Sequence, residues 1–208
     1  MKGSLIVVGF FALGCLLGWS GWLPRVVVEN DFTRYVLYLL MALVGISIGS
    51  DRQLNDILRS IRPRLLLVPL ATIVGTLSFS ALVSLFITRW SPFDCLAVGS
   101  GFAYYSLSSI LITELKTPTL GEQLAAELGT IALIANIIRE IFALLGAPLF
   151  VKWFGRLAPI CAGGATTMDT TLPIITRCCG KDLVFVSIFH GILVDFSVPF
   201  FVSFFCSL

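Results

Sequence analysis

The stretch Cys161–Thr176, CAGGATTMDTTLPIIT, places an aspartate among threonines, glycines and a proline inside a long hydrophobic segment. Gly163 and Gly164 weaken a helix because glycine loses much backbone entropy on folding, and Pro173 removes a helical N–H. The pattern therefore predicts a helix that breaks or unwinds near Asp169. A carboxylate at membrane depth costs about 2.5–3.5 kcal/mol on insertion scales, which makes Asp169 a candidate functional residue. The alternative is an extramembrane loop in which Asp169 is merely solvated.

A second carboxylate, Glu140, lies deep in the preceding hydrophobic segment, within ANIIREIFALLGAPLF. Arg139 comes directly before it, but consecutive helical residues point about 100° apart, so the two are not automatically paired. One interpretation is an Arg–Glu ion pair that fastens two helices, since buried charges are usually paired. The other is a carboxylate that faces an aqueous cavity and binds substrate or a proton, with Asn136 on the same helix.

His190 and Asp195 lie in the last hydrophobic segment. A step of five residues turns about 140° beyond a full circle on a helix, so the two do not share a face cleanly. One interpretation is a hydrogen bond from His190 to a backbone carbonyl; the other is a proton relay through His190, Asp195 or both. With one histidine, and six cysteines in no metal-binding spacing, the sequence predicts neither a metal site nor a cofactor.

A glycine- and hydroxyl-rich stretch also interrupts an earlier apolar segment at Gly99–Thr113, GSGFAYYSLSSILIT. An offset of 62 residues places Gly101 on Gly163 and Ser108 on Thr170. Paired segments interrupted by glycine or proline at corresponding positions indicate a transporter site between repeats. Tyrosines also occur in interfacial belts, which is the alternative for this stretch. The candidate substrate- or proton-binding residues at the two breaks are Gly101, Tyr105, Ser106, Ser108, Gly163, Gly164 and Thr167.

Composition places these residues in a membrane. The chain has 208 residues, of which 57% are hydrophobic and 12% charged, whereas soluble domains carry about 25% charged residues. It predicts an all-α polytopic protein in a lipid bilayer, with one transmembrane domain over residues 1–208; the net charge of +2 gives no reason to expect a nucleic-acid partner. Seven hydrophobic segments are predicted, the fourth and sixth interrupted or re-entrant: about 3–23, 33–50, 63–88, 94–113, 121–151, 157–177 and 182–207.

Lysines and arginines in the short loops predict the orientation. With seven full crossings, the N-terminal side holds eight basic residues, namely Lys2, Arg52, Arg59, Arg62, Arg64, Lys116, Arg177 and Lys181, and the other side holds five, namely Arg25, Arg34, Arg89, Lys152 and Arg156. If segments four and six are re-entrant, Lys116 leaves the N-terminal side, and Lys152 and Arg156 join it. The N-terminal side then holds nine basic residues and the other side four. Both arrangements place the N-terminus in the cytoplasm and the C-terminus outside, and the second fits better. Lys2 and its apolar run resemble a signal peptide, but the run continues to Leu23 and predicts a retained first helix.

Four stretches carry a family resemblance. They resemble signature segments of the LysO-type lysine exporter family: GSGFAYYSLSSILITE (Gly99–Glu114), REI (Arg139–Ile141), GATTMDTTLPII (Gly164–Ile175) and FHGILVDFSVP (Phe189–Pro199). The resemblance covers roughly the whole chain but only the C-terminal part of a typical member, which has about three further transmembrane helices. It implies export of L-lysine and the toxic analogue thialysine across the bacterial inner membrane. It also implies dependence on intramembrane acidic residues at positions that match Glu140 and Asp169, and it implies nothing about Asp195.

The chemistry of lysine fits these residues. Lysine brings two ammonium groups and one carboxylate, and an ammonium deep in a membrane protein needs a carboxylate partner. Glu140 and Asp169 would meet this need. Free N–H groups at a half-helix N-terminus, or at Gly101–Phe102 or Gly163–Gly164, would hold the substrate carboxylate. Exchange for protons would let one carboxylate bind either H⁺ or the amine.

The leading interpretation is a secondary transporter subunit, an antiporter and not an enzyme. The alternatives are an accessory or assembly subunit without its own site, and an intramembrane aspartyl protease that uses Asp169 and Asp195; no GxGD-type motif supports the protease. Because the resemblance leaves about three helices unaccounted for, we expect a separate small membrane protein as partner. It would pack on the small residues of segment two, and a homodimer is also expected. Those small residues are Ala42, Gly45, Ser47 and Gly49.

Overall fold

The computed structural model describes residues 63–208, together with the single positions Leu13, Leu16, Leu17, Ser20, Leu39 and Ile46. The chain divides into two compact units, Met1–Ile46 and Ser47–Leu208, and all elements named below belong to the second. Every regular element in the described residues is helical, which confirms the all-α class. Apart from the single positions, predicted segments one and two lie outside the described residues, as does the proposed partner surface on segment two.

Three helices of the described region are long and apolar enough to cross a membrane. Helix α1, Leu67–Ser84, follows a 3₁₀ turn at Pro63–Leu66. Helix α4, Glu122–Phe154, corresponds to predicted segment five and has 33 residues, so it is about 50 Å long. Helix α7, Val184–Cys206, follows a 3₁₀ turn at Lys181–Leu183 and corresponds to segment seven.

Two short helices, α2 (Pro92–Gly99) and α3 (Tyr105–Leu120), form what we call hairpin 1. Asp94 lies in the first turn of α2 and forms a capping box with Ser91, in which Asp94 Oδ2 accepts the Ser91 N–H at 3.0 Å. Its Oδ1 lies 2.9 Å from Lys116 Nζ near the end of α3, and both side chains are less than a tenth exposed. A continuous helix would separate residues 94 and 116 by about 33 Å. The ion pair therefore requires α2 and α3 to run antiparallel, side by side.

Hairpin 2 consists of α5 (Ala158–Gly163), a 3₁₀ turn (Gly164–Met168) and α6 (Leu172–Cys179). Arg156 precedes α5, and its Nη2 lies 2.5 Å from Asp182 Oδ1 beyond α6, while its Nε donates to the Cys179 carbonyl at 2.7 Å. In a buried cluster, Ile160 of α5 packs with Ile175 and Cys179 of α6. The two arms therefore also fold back on each other.

The two hairpins begin at opposite ends of α4. Gly121 joins hairpin 1 to the start of α4, and Gly155 joins the end of α4 to hairpin 2. Both glycines have positive φ, a conformation that suits glycine and that marks a sharp helix boundary. The tips nevertheless meet, because the Ala165 N–H of hairpin 2 donates to the Phe102 carbonyl of hairpin 1 at 2.8 Å. Helix α7 packs against α2, α3 and the 3₁₀ turn of hairpin 2. The fold thus brings the two breaks together beside the middle of α4.

Candidate functional site

The tip of hairpin 1 is a strained turn held by one amide. Phe102 and Ala103 have φ values of 44° and 74°, a left-handed conformation that is uncommon for residues other than glycine. Asn136 of α4 accepts the Ala103 N–H at 2.7 Å and donates to the Val98 carbonyl at 3.3 Å. A Cβ at Gly101 would lie 2.4 Å from Asn136 Nδ2, so only glycine fits. The candidate residues Gly101 and Asn136 therefore shape this break.

The tip of hairpin 2 approaches hairpin 1 at backbone distance. Gly164 has φ 61°, and a Cβ there would lie 2.2 Å from the Phe102 carbonyl oxygen. Gly163, the last residue of α5, is equally confined, since its Cβ would meet the Thr167 methyl at 2.6 Å and the Thr171 hydroxyl at 2.9 Å. Both glycines predicted from the sequence are therefore required by close contacts at the tip.

Arg139 binds carbonyl groups rather than a carboxylate. Its Nε donates to the Ala162 carbonyl at 3.0 Å and its Nη2 to the Cys161 carbonyl at 3.1 Å, while Nη1 donates to Thr76 Oγ1 of α1 at 3.2 Å. Carbonyls at a helix end lack partners within the helix and carry partial negative charge, so a guanidinium suits them. Within the described residues Arg139 forms no ion pair with Glu140, which leaves Glu140 without that cation.

Three carboxylates converge just beyond the tip of hairpin 2. Asp169 follows the 3₁₀ turn, and its Oδ1 accepts the Thr170 N–H at 2.5 Å and the Thr170 hydroxyl at 3.2 Å. Glu140 of α4 lies near enough to interact with both Asp169 and Thr170. Asp195 of α7 also lies within electrostatic range of Asp169. None of the three has a cationic partner in the part of the chain that the structure describes.

Two tyrosines at the start of α3 lie near these carboxylates. Tyr104 lies within electrostatic range of Asp195 and Asp169, and Tyr105 within range of Glu140 and Asp169. Tyr105 is exposed, as is the candidate residue Ser106 beside it. The candidate residue Ser108 is fully buried, and its hydroxyl donates to the Tyr105 carbonyl at 3.3 Å.

Of the backbone donors expected from the sequence, those at a half-helix N-terminus are free at the tip of hairpin 1. The N–H groups of Gly101 and Phe102, the other expectation here, donate to the Val98 and Gly99 carbonyls, both at 3.3 Å. Helix α3 has no side-chain cap, and the N–H groups of its first turn, residues 105–107, donate to no acceptor among the described residues. An uncapped helix N-terminus favours anions. The available anion-binding group at this tip is therefore the start of α3.

His190 links three elements through threonine hydroxyls. Its Nε2 lies 2.8 Å from Thr72 Oγ1 of α1, and its Nδ1 lies 3.0 Å from Thr167 Oγ1 in the 3₁₀ turn. These hydroxyl partners come in addition to an interaction with the Gly164 backbone, and both His190 and the candidate residue Thr167 are fully buried. Neither ring nitrogen has Asp195 as a hydrogen-bond partner in the described region. The structure thus places His190 in the support of hairpin 2.

A cavity of about 630 Å³ lies between α1, α2, α4 and α5. Its wall is mainly apolar, and Thr76, Asn136 and Arg139 are among the polar residues that line it. The three carboxylates do not line this cavity. Arg139 and Glu140 therefore face different spaces, as their adjacent positions on a helix require.

One residue near the carboxylates, Thr170, was not among our sequence candidates. It had a local signal, since it follows Asp169 directly. The buried pair of Asp94 and Lys116 was also missed, although SPFD at Ser91–Asp94 has the spacing of a capping box.

Comparison with known proteins agrees with the resemblance. A family model described as "Lysine exporter LysO" matches residues 8–206. The chain belongs to this family. It is 32% identical over 203 residues to the protein named "Lysine exporter LysO" of Escherichia coli K12. The matched region covers 97% of this chain and 64% of that protein. It is 30% identical over 200 residues to a "Putative lysine exporter" of Haemophilus influenzae, which covers 94% of each chain. No solved structure matches the chain.

The LysO family is named for transport and is not an enzyme class. Together with the apolar helices, membership identifies this chain as a membrane protein of an amino-acid exporter family. The chain spans 64% of the length of the E. coli relative.

Proposed function

We propose that this chain is a subunit of a secondary transporter that exports L-lysine, and its analogue thialysine, from the cytoplasm in exchange for protons. The observation that carries the proposal is the pair of facing carboxylates, Glu140 and Asp169, which have no cationic partner among the described residues. Two relatives over most of this chain are named as lysine exporters. A lysine ammonium is a cation of the size and charge that such a pair can neutralise.

Each part of lysine then has a counterpart at the tips. One ammonium binds between Glu140 and Asp169, beside the hydroxyl of Thr170. The substrate carboxylate binds the free N–H groups at the start of α3, where the helix dipole favours an anion. When lysine leaves, a proton takes its place on one of these carboxylates; Glu140, which is partly buried, is costly as an anion without a cation or a proton. Binding of the amine and of the proton are thereby mutually exclusive.

We propose that the hairpins are re-entrant and enter the inner membrane from opposite faces. Their bases lie at the two ends of α4, whose length of about 50 Å exceeds a hydrocarbon core of about 30 Å. The count of basic residues favours the same arrangement, with the N-terminus inside, the C-terminus outside, hairpin 1 entering from outside and hairpin 2 from the cytoplasm. Inverted elements that meet near the midplane are a common basis of alternating access.

Loss of either carboxylate should abolish export. We expect Asp169→Asn and Glu140→Gln each to remove lysine counterflow in vesicles and protection of cells from thialysine, at wild-type abundance in the membrane. Each substitution keeps the shape of the side chain and removes the charge that pairs with the ammonium. Counterflow of labelled lysine and growth on thialysine measure the two effects.

The matched control is Glu127→Gln on the same helix as Glu140. Glu127 pairs with Arg89 at 2.6 Å, and both side chains are partly exposed, so its loss should leave transport within about twofold of wild type. Wild-type counterflow by Asp169→Asn or Glu140→Gln would remove that residue from the site. Equal loss in all three variants would point to a general effect of charge and not to a substrate site.

We also propose that a separate small membrane protein, or a second copy of this chain, completes the transporter. The support is exposed apolar surface, since large side chains on α1, such as Val74 and Phe79, need lipid or protein against them. The same counterflow assay on the purified chain decides this. Full transport by the chain alone, as a monomer, would refute the need for a partner and the alternative of a siteless accessory subunit.

A further inference from the structure

Asp195 is a buried carboxylate with no partner among the described residues. Its side chain lies in α7, the residue is 5% exposed, and it forms no hydrogen bond or ion pair within residues 63–208. Buried carboxylates are normally hydrogen-bonded or paired with a cation, because desolvation of an isolated charge is costly. Asp94, the other well-buried aspartate of this region, has Lys116 and the Ser91 N–H. The difference indicates that the partner of Asp195 is a bound ligand.

The packing of α7 directs Asp195 into the site already described. A Cβ on Gly191 would lie 2.7 Å from the Met168 nitrogen and 2.9 Å from Thr167 Oγ1, so α7 is in close contact with the 3₁₀ turn at this position. Residues four apart share a helix face, which places Asp195 on the face that carries Gly191. Asp169 follows Met168 directly. Asp195 is within electrostatic range of Asp169 and of Tyr104.

We propose that Asp195 is a third carboxylate of the substrate site and that it binds the second ammonium group of a diamino acid. The proposal rests on the function proposed above. Glu140 and Asp169, with Thr170 beside both, hold one ammonium, and Asp195 approaches from a different helix, where it can hold the other. The start of α3 receives the substrate carboxylate. Asp195 thereby selects amino acids with two cationic groups over those with one.

A proton relay through His190 is the less favoured role for Asp195. Both ring nitrogens of His190 already have hydroxyl partners, on Thr72 and Thr167, and Asp195 is neither of these partners. Asp195 and His190 are five residues apart on α7 and point about 140° apart. The structure thus separates the carboxylate, which faces Asp169, from the imidazole, which supports the tip.

A change in the reach of this carboxylate tests the proposal. Asp195→Glu lengthens the side chain by one methylene, so the site should favour ornithine, which is one methylene shorter than lysine. We expect the ratio of lysine to ornithine affinity to fall by about tenfold relative to wild type. Competition of L-lysine, L-ornithine and L-norleucine against labelled lysine, in membrane vesicles from cells that express the chain together with any partner it needs, measures this ratio. An unchanged ratio in folded Asp195→Glu protein would overturn the proposal.

Removal of the charge gives the second arm. Asp195→Asn should weaken lysine binding by about 10- to 100-fold while norleucine affinity stays within about threefold, because norleucine has only one ammonium. Asp182→Asn, an exposed carboxylate outside the site, is the matched control and should change neither value. Thermal unfolding accompanies each variant; if both Asp195 variants fail to fold, the residue is structural and the proposal is wrong.

The function proposed above fails separately. If wild type binds lysine and Glu140→Gln abolishes binding, but both Asp195 variants keep the wild-type ratios, then only the role of Asp195 is refuted. If wild type binds no lysine, or Glu140→Gln binds it normally, then the proposed function fails, and the role of Asp195 fails with it.

Discussion

Hairpin 1 and hairpin 2 have the same plan but place their charges differently. Each folds two short helices back on themselves, and each is closed at its base by an ion pair. In hairpin 1 the pair of Asp94 and Lys116 is buried, with side chains 6% and 9% exposed. In hairpin 2 the pair of Arg156 and Asp182 is exposed by 52% and 64%. The base of hairpin 1 is therefore closed by a desolvated contact, whereas the base of hairpin 2 is closed by a solvated one.

The side chains that hold the two tips differ in charge. Asn136, a neutral amide, holds the tip of hairpin 1, while Arg139, three residues later on the same face of α4, holds the tip of hairpin 2. Hairpin 2 also carries Asp169, which has no cationic partner in the described part of the chain. The comparison shows that buried ion pairing is placed in the hairpin without a site carboxylate. Uncompensated charge is placed in the hairpin that we propose binds a substrate ammonium group.

The base pairs should differ in their contributions to stability. Removal of one partner from a buried pair strands the other, so Lys116→Met should lower the free energy of unfolding by about 3–5 kcal/mol. Arg156→Met removes an exposed pair and should lower it by about 1 kcal/mol or less. Reversible unfolding in mixed micelles measures both. The double variant Lys116→Met with Asp94→Asn should recover much of the loss, and equal losses for the two single variants would end the contrast between the hairpins.

The contact between the tips offers a smaller and more local change. Ala at Gly164 or at Gly155 would cost about 1–2 kcal/mol, since both glycines have positive φ. Only at Gly164 would the new Cβ also lie 2.2 Å from the Phe102 oxygen, whereas Gly155 has open space around it. Gly164→Ala should therefore abolish lysine counterflow, while Gly155→Ala should retain it. Similar counterflow by the two variants would show that the contact between the tips is not needed for transport.

Features that depend on local sequence could be predicted from the sequence alone. Helices end near Gly99 and Gly163 because glycine there weakens the helix, and the long apolar runs of α4 and α7 are helical as predicted. The family was also accessible, because motifs such as GATTMDTTLPII, which contains Asp169, are long and recognisable. Local pattern and resemblance together were enough to predict a site at the breaks.

Features that depend on distant contacts were not accessible. The two partners of His190 lie 118 and 23 residues away in sequence, and nothing local distinguishes them from other threonines. The sequence left open whether Arg139 pairs with Glu140, and the answer depends on where the end of α5 lies in space. Likewise, only the packing of α7 on the 3₁₀ turn brings Asp195 towards Asp169.

The central claim is that two hairpins enter from opposite faces and meet at the site. Single cysteines at exposed positions, introduced into a chain without its native cysteines, test it by labelling with a membrane-impermeant reagent from each side. Thr88→Cys and Gln123→Cys flank hairpin 1, and Lys152→Cys and Lys181→Cys flank hairpin 2. We predict that the first two are labelled from one side and the last two from the other. Labelling of Thr88→Cys and Gln123→Cys from opposite sides would show that this segment crosses the membrane, and would contradict the account.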